Sequence, residues 1–330
     1  MFPLFHFSAL LVAFALLCAA SPAPSSSVEA ETVRKCKEIR VHKEWRDISV
    51  EHRLAYIDAV KCLQALPPTV PGTGATSRYE EYAVTHVNLT DRIHLVGQFL
   101  PWHRHLGNLY AKDLRDKCHY KGPMPFWDWA RDGDNEGVPI AQSPIFDPVT
   151  GFGGDGVPGT YTLPSPNIPT VTFPDAYRGC VLDGPFAADK YSLHLGPGIL
   201  RTEHCLVRGI NETLKHAMTT DVLEEQLRIK TFAEFRETID NPRALGMHIT
   251  THAPIGGEMK NVWSSPGGKL IRHNRSSSRR LYYIDGPSTV NGTDSVTLDF
   301  VMDFPLLGPN VTIRDVMDLT KEPNCYTFDY

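Results

Sequence analysis

Three histidines within eighteen residues, His86, His94 and His103, constrain this chain more than any other feature. The apolar pattern predicts one helix over Tyr79–Val87 and another from about Pro101 to Cys118. The second carries His103, Leu106, Tyr110 and Leu114 along one face. Antiparallel helices joined by a short loop bring the faces bearing His86 and His103 together, with His94 on the connection. A lone buried histidine is usually a hydrogen-bonded core residue. Three neutral imidazoles converging from facing elements instead make a nitrogen site suited to copper or zinc.

A second pair, His248 and His252, stands at i, i+4, which places both rings on one helix face. A zinc hydrolase of the His-Glu type needs Glu directly after the first histidine as general base; Ile249 occupies that position, which argues against this reading. Two further histidines, His105 and His119, are expected to be supporting or surface residues.

The rest of the chain predicts a mainly α fold: a helical bundle around the histidines, with long Gly/Pro-rich loops and a few short strands. A helix is expected from Trp45 to Leu66, capped by Ser49, with Leu54, Ile57, Val60 and Leu63 as its apolar stripe and Pro67-Pro68 as its stop. Further helices are expected over Asp221–Ile229, with Glu224 completing a capping box, from Thr231, and over Met247–His252. Residues 131–200 are rich in Gly and Pro without a sustained period, and so read as a long functional or pinned loop. Beyond Leu281 the alternation around Val296–Val301 predicts short strands.

The first twenty residues are almost wholly apolar and end in small residues, the pattern of a cleaved signal peptide; residues 21–35 are expected to be a disordered mature start. No later stretch is long and apolar enough to span a bilayer. The expectation is a protein outside the cell, free of the membrane after cleavage. Removing Cys18 leaves six cysteines, Cys36, Cys62, Cys118, Cys180, Cys205 and Cys325, enough for three disulfides with 15 connectivities open. Asn88, Asn211, Asn274, Asn291 and Asn310 head glycosylation sequons. A net charge of -5 gives no reason to expect a nucleic-acid partner.

The stretch from His86 through His94 to Phe99-Leu-Pro-Trp-His103-Arg104 resembles the first-copper motif of the tyrosinase and catechol-oxidase family. Cys118-His-Tyr-Lys-Gly-Pro and Phe126-Trp127-Asp128-Trp129 match the segments that come after that motif in the family. His248-x-x-x-His252 with Gly256-Gly257 resembles the start of the second-copper motif. The resemblance is to short secreted fungal members, covers about Cys36–Ser265 and resumes near Leu281. It implies two copper ions, the first held by His86, His94 and His103, the second by His248, His252 and one more histidine. It implies O2 and a small phenol as reactants, o-diphenols and sometimes monophenols becoming o-quinones. Residues 36–330 then form one copper-binding domain, and Asp128 is a structural hydrogen-bonding residue.

The sequence departs from that family at the last ligand. Where an aromatic run and a His-His pair belong, it has a polar, basic segment from Gly267 to Arg280. His273 falls near the ligand position, but four arginines around it make burial against copper costly. The segment is expected to be irregular and exposed, leaving the second copper two protein ligands and the oxidase impaired. The competing reading is a non-catalytic secreted glycoprotein holding one copper or none. Smaller departures favour diphenol oxidation over monophenol hydroxylation: Ile249 stands where some hydroxylating relatives have Asn, and Ala111 where Glu is frequent. Arg92, two residues before His94, leaves no cysteine for the thioether some relatives form. Cys325-Tyr-Thr-Phe-Asp-Tyr resembles the motif that closes the catalytic domain, so no further domain is expected to cover the site.

Overall fold

Ser49 starts the first helix as its chemistry requires: its hydroxyl accepts the His52 N–H at 3.3 Å and opens α1 (Val50–Ala65). The computed structural model describes residues 35–164, 175–196, 200–240, 246–257 and 285–329. Trp45–Asp47, expected as the beginning of this helix, forms a separate 3-10 turn behind a strand the sequence did not announce, β1 (Arg40–Glu44). The buried side of α1 is Tyr56, Ile57, Ala59, Val60 and Leu63, while Leu54 is 40% exposed. Three-residue steps fall about 60° short of a full turn each, so Leu54 ends on the side opposite Leu63.

Helices α2 (Arg78–Asn88), α3 (Thr90–Ile93) and α4 (Phe99–Asp116) come next. Tyr82 meets Asp113 and Tyr110 while His86 meets His103, so α2 and α4 run antiparallel. α4 begins two residues before Pro101, which sits in the first turn, where its missing N–H has no helical partner to lose. An ionic cluster clamps the two helices. Arg78 Nε donates to Asp113 at 2.6 Å, its Nη1 donates to Glu81 at 2.7 Å, and the Tyr82 hydroxyl donates to Asp113 at 2.8 Å.

Strand β2 (Pro125–Phe126) pairs in parallel with β1 and leads to a short α5 (Ala130–Gly133). The described part of the Gly/Pro-rich stretch is pinned. Two 3-10 turns lead to an antiparallel sheet of β3 (Gly156–Pro158), β4 (Gly179–Val181) and β5 (Val207–Arg208), stitched by Cys180–Cys205. Helices α6 (Thr220–Leu227), α7 (Phe232–Ile239) and α8 (Ile249–His252) complete the helical set of the described residues. Thr231 caps α7 as expected. The capping box expected of Glu224 does not form: Thr219 caps α6, and Glu224 pairs with Arg228 one turn on. Pairing at i, i+4 uses the same carboxylate and needs no bend back to the cap.

Near the end, β6 (Val301–Met302) pairs with β7 (Val311–Thr312), shorter than the alternation at Val296 implied. β8 (Tyr326–Phe328) adds in parallel to β1, so both ends of the described chain share one sheet. Cys36–Cys325 closes that junction, and Cys62–Cys118 ties α1 to the residue just past α4. One main core runs through the bundle, with Trp45, Tyr56, Trp102, Tyr110, Trp129 and Phe304 among its fully buried rings. The fold is mainly α, as the sequence predicted.

Of the sequon asparagines, Asn88, Asn291 and Asn310 are exposed, and Asn310 hydrogen-bonds Asp303. Asn211 accepts from Thr213 at the start of a 3-10 helix. Asn274, His273, the apolar first twenty residues and the basic segment 267–280 lie outside the described residues. No helix among the described residues is long and apolar enough to cross a membrane.

Candidate metal centre

His86 comes from the last turn of α2, His94 from the residue that ends α3, and His103 from the second turn of α4. One ring nitrogen of each lies within 4.8 Å of the others. The Nε2 atoms of His86 and His103 are 3.2 Å apart. The backbone sets the ring orientations. His94 Nδ1 faces the Thr90 carbonyl at 3.0 Å and His103 Nδ1 faces the Phe99 carbonyl at 2.8 Å. A carbonyl only accepts, so each Nδ1 carries the proton and each Nε2 keeps a lone pair for the centre.

His248 begins α8 and His252 ends it, with their Nε2 atoms 2.9 Å apart. The His248 ring stacks on His94, centroids 5.6 Å apart, so the pair faces the trio directly. Phe99 fills the angle between them, 4.8 Å from His103 and 5.0 Å from His248. His248 Nδ1 donates to Asp240 Oδ1 at 2.8 Å, and the other oxygen of Asp240 accepts the Leu95 N–H. Leu95 has φ of 57°, a left-handed conformation uncommon for a branched residue, and Asp240 holds its N–H in place. Sequence reasoning missed Asp240. Its only signal was an acid closing α7 eight residues before His248.

The electrostatics suit a cation. Burial lowers the pKa of His94, against the raising pull of Asp240, so the ring is neutral at ordinary pH. Burial pushes Asp240 up to about 6, with the neighbouring His94, the Leu95 N–H and Arg236 pulling the other way. Two nitrogens each about 2 Å from one ion and at ordinary coordination angles stand about 3 Å apart. The spacings within His86–His103 and within His248–His252 agree with that figure. Neutral imidazole donors from a buried, aromatic-walled site therefore fit copper.

Gly256 and Gly257, just past α8, have φ of 67° and 69°. A Cβ on Gly257 would lie 2.4 Å from the Val207 carbonyl, so only glycine lets this turn seat α8 against β5. The remaining sequence candidates have other roles. His105 is not at the surface; it is buried edge-on to Phe304, its pKa lowered to about 4 by burial. His119 is exposed. The Asp128 N–H donates to Glu44 at 3.4 Å. Ala111 is fully buried, and exposed Arg92 pairs with Asp303.

Residues 76–268 match the family model described as the common central domain of tyrosinase. The chain belongs to the tyrosinase family, which includes copper-dependent oxidases of phenols. Tyrosinase P of Aspergillus terreus is 30% identical over 89% of this chain and 93% of its own length. N-acetyl-6-hydroxytryptophan oxidase of Emericella nidulans is 31% identical over 94% of this chain and 98% of its own. The polyphenol oxidase of Thermothelomyces thermophila, solved as its G292N mutant, superposes with a TM-score of 0.74 at 26% identity, covering 88% of this chain and 89% of that one. The family match ends at residue 268, where the basic segment begins.

Proposed function

We propose that this chain is a secreted copper-dependent oxidase that converts o-diphenols to o-quinones with O2, with monophenols as lesser substrates. His86, His94 and His103 would hold the first copper; His248 and His252 would hold the second. His273, in the basic segment, is the weak sixth position, and its loss would impair the enzyme. The observation that carries the reading is the stacking of His248 on His94, which brings the pair and the trio within one ion-to-ion span. Copper held by these histidines would supply the redox chemistry between the diphenol and O2.

The chain's own residues do the rest. Thr90 and Phe99 carbonyls fix which nitrogen of His94 and His103 faces inward. Asp240 does the same for His248. Phe99 and Trp102 wall the centre with apolar surface that keeps bulk water away. Secretion rests on the apolar leader and on three disulfides, a pattern at home in an oxidising compartment.

A second reading is a secreted glycoprotein of the same fold that holds one copper or none and has no activity. The basic segment from Gly267 to Arg280, standing where the family's last copper ligand is expected, favours it. Oxygen uptake with catechol by the copper-loaded chain from residue 21 onward separates the two. Uptake above the rate of free copper supports the oxidase, and its absence in a copper-loaded, folded sample supports the binding protein.

A further inference from the structure

A groove of about 840 Å³ runs between β1, the end of α4 and the turn at Tyr120–Met124. It is well separated from the histidines: Arg115 lies twelve residues past His103 on the same helix, about 18 Å along its axis. Arg40, Lys43, Arg115 and Lys121 line it, opposed by Glu38 and Asp47. Two of these charges are already matched, Lys43 by Asp329 at 3.1 Å and Asp47 by Arg131 at 2.9 Å. Arg40, Arg115 and Lys121 make no side-chain hydrogen bond or ion pair among the described residues; Asp116, already paired with Lys112, and Glu38 are the acids whose charge reaches Arg115. A chain of net charge -5 thus gathers an excess of positive charge in one concave place.

Arg115 is half-buried, and its pKa is lowered to about 10 by burial and by the charge of Arg40. A guanidinium held partly out of water beside a second one is costly without a counter-charge. The floor is apolar. Ile39, just before β1, and Val41 within it have 41% and 38% of their surface exposed, while Met124 and Tyr120 lie buried behind the other side. The volume is that of a small organic ligand rather than a lone inorganic ion.

We infer that this groove is a second ligand site that binds an organic oxyanion, its charged end between Arg40 and Arg115 and its apolar body against the exposed Ile39 and Val41. The fork of a guanidinium suits a carboxylate, sulfonate or phosphate alike. The test uses 8-anilinonaphthalene-1-sulfonate as probe, titrated by fluorescence into the full copper-loaded chain. Arg40→Gln and Arg115→Gln should each raise its Kd about tenfold, while Arg228→Gln, on an exposed helix elsewhere, leaves it unchanged. Arg40 is exposed, so Arg40→Gln remains informative if Arg115→Gln fails to fold. Octanesulfonate and octanoate should displace the probe far below the concentration at which inorganic sulfate does, and their ranking separates sulfonate from carboxylate. Equal Kd values for wild type and Arg40→Gln would overturn the site. Displacement by inorganic sulfate as efficient as by octanesulfonate would overturn its organic ligand.

Discussion

Asp240 Oδ1 lies 2.8 Å from His248 Nδ1, and the same carboxylate receives the N–H of Leu95, the residue after His94. One side chain from the end of α7 therefore fixes a ring of the second histidine pair and the turn that presents a ring of the first trio. Asp240→Ala removes both bonds. The expected result is about 10–100-fold weaker copper retention by the His248–His252 site, read by competition with a graded chelator. Asp240→Asn, which keeps one acceptor oxygen, should lie between Ala and wild type. Retention identical in all three would show that the rings are held by packing alone.

His42 gives the fold an acid limit. It is buried against Tyr326, centroids 4.1 Å apart, and its pKa is lowered to about 3, by burial first and then by Arg115 and Arg40. The folded value lies below the unfolded one, so between pH 6.5 and about 3 the unfolded chain binds a proton that the folded chain does not. Stability from this group is therefore full above the unfolded value and falls as the pH drops, by about 1.4 kcal/mol per pH unit inside the window. At pH 5 the loss is about 2 kcal/mol. Denaturant midpoints of His42→Phe, which keeps a ring to stack on Tyr326, should be flatter between pH 7 and pH 5 than those of wild type. Parallel slopes would contradict this account.

Much of this centre was legible in the sequence, because i, i+4 spacing aligns His248 with His252, and two antiparallel helices joined by a short connection bring His86 to His103. The caps at Ser49 and Thr231 were legible for the same local reason. Asp240 was not, because nothing in a single sequence tells that an acid at a helix end turns towards a residue 145 positions earlier in the chain. β1 was invisible because its partners, β2 and β8, come from the middle and the far end of the chain. Leu54 misled because repeated three-residue steps drift around the helix.

The Arg78 cluster bears on the site through the backbone. It locks the first turn of α2 to the last turn of α4, and the other ends of those helices carry His86 and His103. Arg78→Met leaves Glu81 and part of Asp113 buried without their cation, at a cost of about 3–5 kcal/mol. The thermal midpoint should fall sharply whether or not copper is bound. A midpoint shift seen only in the copper-loaded protein would mean the cluster acts on the metal rather than on the fold.

Cys62–Cys118 joins α1 to the end of α4 across 56 residues. Loop-closure entropy puts its contribution at about 4 kcal/mol. The double variant Cys62→Ala, Cys118→Ala should lose stability of that order in denaturant, with the copper spectrum of the folded fraction unchanged. An altered spectrum would show that the disulfide also shapes the histidine face of α4.

Copper retained per chain after exhaustive dialysis, compared between wild type, His103→Ala and His252→Ala, tests the central claim most directly. With a complete trio and a second site short of a ligand, wild type should keep about one copper per chain and oxidise catechol weakly. His252→Ala should keep the same copper, and His103→Ala should keep almost none while staying folded. A wild-type chain that is folded and holds no copper, or a His103→Ala variant that holds as much as wild type, would contradict the assignment of His86, His94 and His103 as a copper site.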